Sequence, residues 1–146
     1  MFRSPKDAKD FALAGNAILT LRSTKTGAYY TYRIRAPKEN GLKDNIRFVS
    51  LLSGPNNSTY IGIIRNDEFT LTRSSKLGRG TKPVAAFEFF TRKVLAKNTI
   101  PEGLEVRHEG YCGRCGRRLT VPESIDRGIG PECQRIISFV DPIEGL

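Results

Sequence analysis

The sequence predicts an α+β fold: an antiparallel β-meander of about five strands packed by a helix, followed by a small cysteine-centred module. Three observations predict it. Five runs between residues 16 and 74 alternate apolar and polar side chains and are separated by turn-forming residues. From Val84 the spacing of apolar residues changes to that of a helix. All three cysteines fall within the 22 residues from Cys112 to Cys133.

The elements follow in order. Ser4-Pro5 opens a short helix through KDAKDFALAG, with Ser4 as cap, Pro5 at the first helical position and Gly15 ending it. Ala8, Phe11 and Ala12 make its apolar face. NAILTLRST and AYYTYRIRA then form a hairpin about Lys25-Thr26-Gly27. IRFVSLLS (46–53), TYIGIIR (59–65) and FTLTRS (69–74) complete the meander through KENGLKDN, GPNNS and NDE, all rich in turn residues. Lys82-Pro83 opens a helix, VAAFEFFTRKVLAKN, whose Val84, Phe87, Phe90 and Val94 share one face, widened by Phe89 and Leu95. These aromatics are read as core. A short strand, LEVRHE (104–109), leads into the cysteines. The expected division is a basic α+β domain over 1–100 and a metal-binding module over 101–146.

Charge is unevenly placed. The chain of 146 residues has net charge +9. Residues 1–100 carry 18 Lys/Arg against 7 Asp/Glu, whereas residues 101–146 carry 6 Arg against 8 Asp/Glu. The basicity therefore belongs to the strands and loops, where it favours a polyanion such as nucleic acid. No run approaches the about 20 apolar residues of a membrane span. The N-terminal residues lack a secretory h-region, so a cytoplasmic protein with no membrane partner is expected.

The motif with the most chemistry is His108-x3-Cys112-x2-Cys115-x17-Cys133. Two thiolates two residues apart can face one ion. Gly113 and Gly116 permit turns that aim amides at the sulfurs. Cys133 follows Gly-Ile-Gly-Pro-Glu in the first turn of an expected helix through Gln134-Arg135-Ile136-Ile137, where the helix dipole favours a thiolate. A knuckle plus a helix-start cysteine is the layout of a treble-clef-like zinc fold. Zn2+ is the expected cofactor, held by Cys112, Cys115 and Cys133. His108 is the expected fourth ligand, with Glu109, Glu132 or water as the alternatives. A site closed by four protein ligands is structural rather than catalytic. A Cys112–Cys115 redox pair and buried thiols are the rival readings, but the βαβ pattern that accompanies a redox pair is missing.

CGRCGRRLTVPESIDRGIGPEC resembles a short C-x2-C-G-R-x-L…P-x-S-I-x-x-G-I-G-P-x-C module of bacterial and phage proteins. More loosely, the chain from FALAGNAILTLRS through RHEGYCGRCGR resembles small phage- or prophage-encoded proteins that end in this module. The resemblance implies a phage or bacterial setting and a metal site at Cys112, Cys115 and Cys133. It implies no activity.

Two stretches are candidate nucleic-acid contacts. In RSSKLGRGTK, Arg73, Lys76, Arg79 and Lys82 recur every third residue in a Ser/Gly-rich loop that enters a helix. In AYYTYRIRA, alternation puts Tyr30, Tyr32 and Ile34 on one face and Tyr29, Thr31, Arg33 and Arg35 on the other. A tyrosine and two arginines on an open sheet suit single-stranded nucleic acid, with Arg22 and Arg47 joining from neighbouring strands. A solvated loop and tyrosines that merely pack are the bland counterparts. No catalytic constellation is visible once the cysteines and His108 are committed to metal, so no enzyme is expected. The leading expectation is a phage-associated nucleic-acid-binding accessory protein. The alternative is a phage inhibitor or adaptor that binds a host protein.

Overall fold

A computed structural model describes residues 1–38, 45–54, 56–119 and 128–130. Helix α1 (Pro5–Ala12) begins where the Ser4 hydroxyl accepts the Asp7 N–H at 3.3 Å, and it buries Ala8, Phe11 and Ala12 as their spacing requires. Strands β1 (Asn16–Ser23) and β2 (Tyr29–Arg35) form the expected hairpin. Gly27 takes a φ of 77°, and the Ser23 N–H donates to the Ala28 carbonyl at 2.9 Å across the turn. β3 (Ile46–Gly54), β4 (Asn57–Arg65) and β5 (Glu68–Thr70) continue the meander. Asn66 and Asp67 both adopt left-handed backbone angles in the β4–β5 turn, which short polar side chains tolerate best.

The sheet has six antiparallel strands rather than five, curled into a half-barrel in the order β5-β4-β3-β2-β1-β6. β6 (Leu104–His108) is the segment expected to lead into the cysteines, and it pairs along β1 from Leu19 opposite His108 to Ser23 opposite Leu104. The sheet thus reaches past residue 100. β5 is shorter than the expected 69–74 because the chain turns after Thr70, where the Ser75 hydroxyl captures the Thr72 N–H at 2.8 Å.

The second helix also departs from expectation. α2 (Lys82–Phe90) is α-helical, but Thr91–Ala96 winds as a π-helix. The change falls at Thr91, whose hydroxyl donates to the Glu88 carbonyl at 2.9 Å and competes with the regular ladder. Val84, Phe87, Phe90, Val94 and Leu95 are still all buried. They pack against Ala17, Leu19, Leu21, Tyr32, Ile34 and Val49 from one face of the sheet. The Tyr32 ring lies 4.8 Å from that of Phe87, and its hydroxyl donates to the Pro83 carbonyl at 2.6 Å, tying sheet to helix. Burial pushes that phenol well above its ordinary value. A one-residue bulge opposite Val49 and Ser50 keeps Ile61 inside.

Candidate nucleic-acid interface and cysteine knuckle

With the odd-numbered residues of β1 inside, alternation sends a defined set to the opposite face. On β2 this set is Tyr29, Thr31, Arg33 and Arg35, as the sequence predicts. Register fixes their neighbours: Arg35 stands opposite Phe48, Arg33 between Ile18 and Ser50, and Tyr29 opposite Arg22. Tyr29 is 67% exposed and Phe48 is 43% exposed. Phe48 contacts Tyr60 of β4 with ring centroids 6.5 Å apart. Phe48 belongs to the candidate face, and the sequence reading passed over it. Ile46, Phe48 and Leu52 are as apolar as Val49 and Leu51, so only the pairing with β2 reveals which set points out.

The electrostatics of the face divide it in two. Toward β6, Arg22 meets Glu105 at 3.0 Å, Arg107 meets the same carboxylate, and Glu109 accepts the Thr20 hydroxyl at 2.7 Å. The hydrogen bond from Arg107 is foremost in holding the Glu105 carboxyl below its ordinary value. Toward β3 and β4, Arg33 and Arg35 form no ion pair among the described residues, and Arg33 Nε, shielded from solvent, has no hydrogen-bond partner among them. Burial, and then the charge of Arg35, lower the Arg33 guanidinium from its ordinary value, which leaves it a cation. Anionic ligands fit this half of the face.

Arg47 does not join them. Its side chain is on the buried face, 7% exposed, with Nε donating to the Leu13 carbonyl at 3.0 Å and a terminal nitrogen to the Ile46 carbonyl at 3.0 Å. It satisfies the carbonyl at the end of α1. Residue 47 shares the parity of Val49, and that parity overrides the charge. Arg22 lies on the open face but is committed to Glu105.

The basic loop is split by the fold. The Lys76 N–H donates to the Tyr60 carbonyl at 3.0 Å, and the Tyr60 and Thr72 hydroxyls are 3.0 Å apart, so Arg73 and Lys76 border β4 at the edge of the open face. Arg79 turns to α2, 3.6 Å from Glu88, and Lys82 is the first residue of that helix. The four cations are therefore not one cradle.

The cysteine knuckle is a small hairpin docked on α1. Tyr111 bridges Arg118, the Cys112 N–H donates to the Arg117 carbonyl at 2.7 Å, and Gly116 turns at φ 80°. Cys112 is 2% exposed, while Cys115 is exposed. The amides of Gly130 and Arg114 point at Cys112 Sγ, 3.3 and 3.4 Å away. Burial pushes this thiol up, but the amides of Gly130, Cys115 and Arg114, together with the Cys115 thiol, bring it below its ordinary value. The arrangement favours a thiolate, the form that ligates metal. Gly113 serves packing rather than turning: a Cβ there would lie 2.6 Å from the Phe11 ring.

His108 sits beside this hairpin. Its ring lies 5.5 Å from Phe2 and 5.7 Å from Phe11, and its Nδ1 accepts the Gly110 N–H at 2.9 Å. A neutral imidazole with that acceptor carries its proton on Nε2, so ligation through either nitrogen costs the Gly110 bond: Nδ1 would turn its lone pair to the metal, or take up the proton when Nε2 ligates. Glu109 lies with Thr20 rather than at the thiols. Cys133, Glu132, Pro122-Glu123-Ser124 and the helix expected through Ile137 lie outside the described residues. Among the described residues no three His, Cys, Asp or Glu groups gather as a metal site.

A family of unknown function, DUF6011, matches residues 102–138, the stretch from β6 through the cysteines. No curated protein and no solved structure matches the chain.

Proposed function

We propose that this chain is a non-enzymatic nucleic-acid-binding accessory protein, of the phage setting its sequence resembles, with a structural zinc site. The observation that carries the reading is the pair Arg33 and Arg35: adjacent cations on an open sheet face, without carboxylate partners among the described residues and beside exposed aromatic rings. Two cations left together are relieved by an anion, and a polyanion matches the basic balance of the chain. Arg73 and Lys76 extend the same attraction at the edge of the face.

Zinc would be held by Cys112, Cys115 and Cys133, with His108 as fourth ligand at the cost of its Gly110 hydrogen bond. Support comes from the donor chemistry, since Cys112 is already surrounded by amides that favour a thiolate. The metal would brace the segment after Gly130 against the knuckle.

Polarisation titrations of a labelled oligonucleotide across a salt series test the binding. Affinity is expected to fall as salt rises. Replacing Arg33 and Arg35 together by Ala should weaken binding and flatten the log–log salt slope by about 1.4 to 1.8, two phosphate contacts' worth. No binding at low salt rejects the reading. A host-protein complex that survives nuclease would then assign the face to a protein partner.

A further inference from the structure

We infer that the ligand of the open face is single-stranded nucleic acid, running across β2, β3 and β4, with an unpaired base stacked on Phe48 and phosphates held by Arg33 and Arg35. This rests on the nucleic-acid reading above and specifies its substrate.

Phe48 is the first ground. Phe2, Phe11, Phe69, Phe87 and Phe90 are all buried, whereas Phe48 stays 43% exposed on the open face, held by the Tyr60 ring and opposite Arg35. A duplex keeps its base faces inside the stack and offers a sheet its backbone and groove edges, so a ring can stack there only at the cost of unstacking a base step. Every base of an unpaired strand offers a face to such a ring. The Arg35 guanidinium on the next strand is placed to take the neighbouring phosphate.

The path follows from the charges. The β6 side is lined by Glu105 and Glu109, which hold the Arg22, Arg107 and Thr20 side chains and repel phosphate. The other side carries Arg33, Arg35, Ser50 and Phe48, and ends at the Tyr60 carbonyl where the Lys76 loop is tied. Strands lie about 4.8 Å apart, so the row from Arg33 through Ser50 to Tyr60 spans roughly 10 Å, room for a few nucleotides of one strand.

The test uses the full chain and three probes: a labelled DNA single strand, its RNA counterpart and a blunt DNA duplex of equal length. The single strands should bind at least about tenfold more tightly than the duplex, and their comparison separates DNA from RNA. Phe48→Ala should weaken single-strand binding by about fivefold to 150-fold, leaving duplex affinity and the salt slope unchanged. Phe48→Trp should keep single-strand affinity, which excludes a mere loss of folding. Equal binding of single strand and duplex, or a Phe48→Ala variant that binds as well as wild type, overturns this inference and leaves the nucleic-acid reading standing. No binding to any probe at low salt overturns both.

Discussion

At the scale of single residues, the molecule turns on side chains whose surroundings decide their role. Tyr32 is the plainest case, a phenol inside the core whose hydroxyl meets the carbonyl of Pro83. Tyr32→Phe leaves that acceptor without its partner and should lower unfolding stability by about 1 to 2 kcal/mol, read as a shifted urea midpoint at constant slope. Gly128 is held by a close approach: its φ is 75°, and a Cβ would lie 2.6 Å from the Phe11 ring and 3.1 Å from Phe2. Gly128→Ala combines overpacking with an unfavourable backbone and should cost on the order of 2 kcal/mol in the same experiment. Alternation made Tyr32 legible as an inward residue, and it placed Arg33 and Arg35 outward. For Arg47 the charge suggests a surface role, but pairing with β2 turns it inward, where the Leu13 carbonyl at the end of α1 is its partner.

Among the elements, β6 and the knuckle form a continuous unit. β6 ends at His108, whose Nδ1 holds Gly110, and the Gly110 carbonyl in turn accepts the Leu119 N–H at 2.8 Å. Gly113 accepts the Asn16 N–H at 2.7 Å and donates to the Gly128 carbonyl at 2.7 Å, so hydrogen bonds join the hairpin to β1 and to the Gly-Ile-Gly segment. Cys115→Ser should abolish stoichiometric zinc while leaving far-UV circular dichroism close to wild type, because the sheet is held by its own pairing. Retained zinc would refute the proposed site. His108→Ala separates two roles. Loss of its ring from the cluster it forms with Phe2 and Phe11 should lower stability, whereas only a ligand role also lowers zinc content by elemental analysis. The cysteine spacing announced the knuckle. It could not announce that Gly113 is small for the sake of Phe11, a residue about 100 positions earlier in the chain.

For the whole molecule, the described part of the cysteine stretch shares the core of the sheet. Cys112, Leu119 and Ile129 belong to the same apolar cluster as Phe2, Phe11 and the sheet. Tyr111, at the start of the cysteine hairpin, is 42% exposed. Ending the chain at residue 100 would strip β6 from β1, and it would uncover Phe2 and Phe11. Such a truncation should lose cooperative thermal unfolding or aggregate. A melt as sharp as that of the full chain would show that 1–100 folds by itself. Among the described residues no helix is long and apolar enough to cross a membrane.

The sequence by itself determined the α+β class, both helix starts, the β1–β2 hairpin and the outward direction of Arg33 and Arg35. Each of these depends on neighbours within a few residues, where period, caps and turn chemistry act. Tertiary structure alone decided that β6 completes the sheet at β1, that Phe48 faces outward beside Arg35, and that Arg47 is spent on the end of α1. It also split the basic loop and packed the cysteine hairpin on Phe11. These outcomes depend on register and on contacts between distant segments. A strand apolar on both faces, or a glycine beside an aromatic far away in the chain, carries no local sign of them.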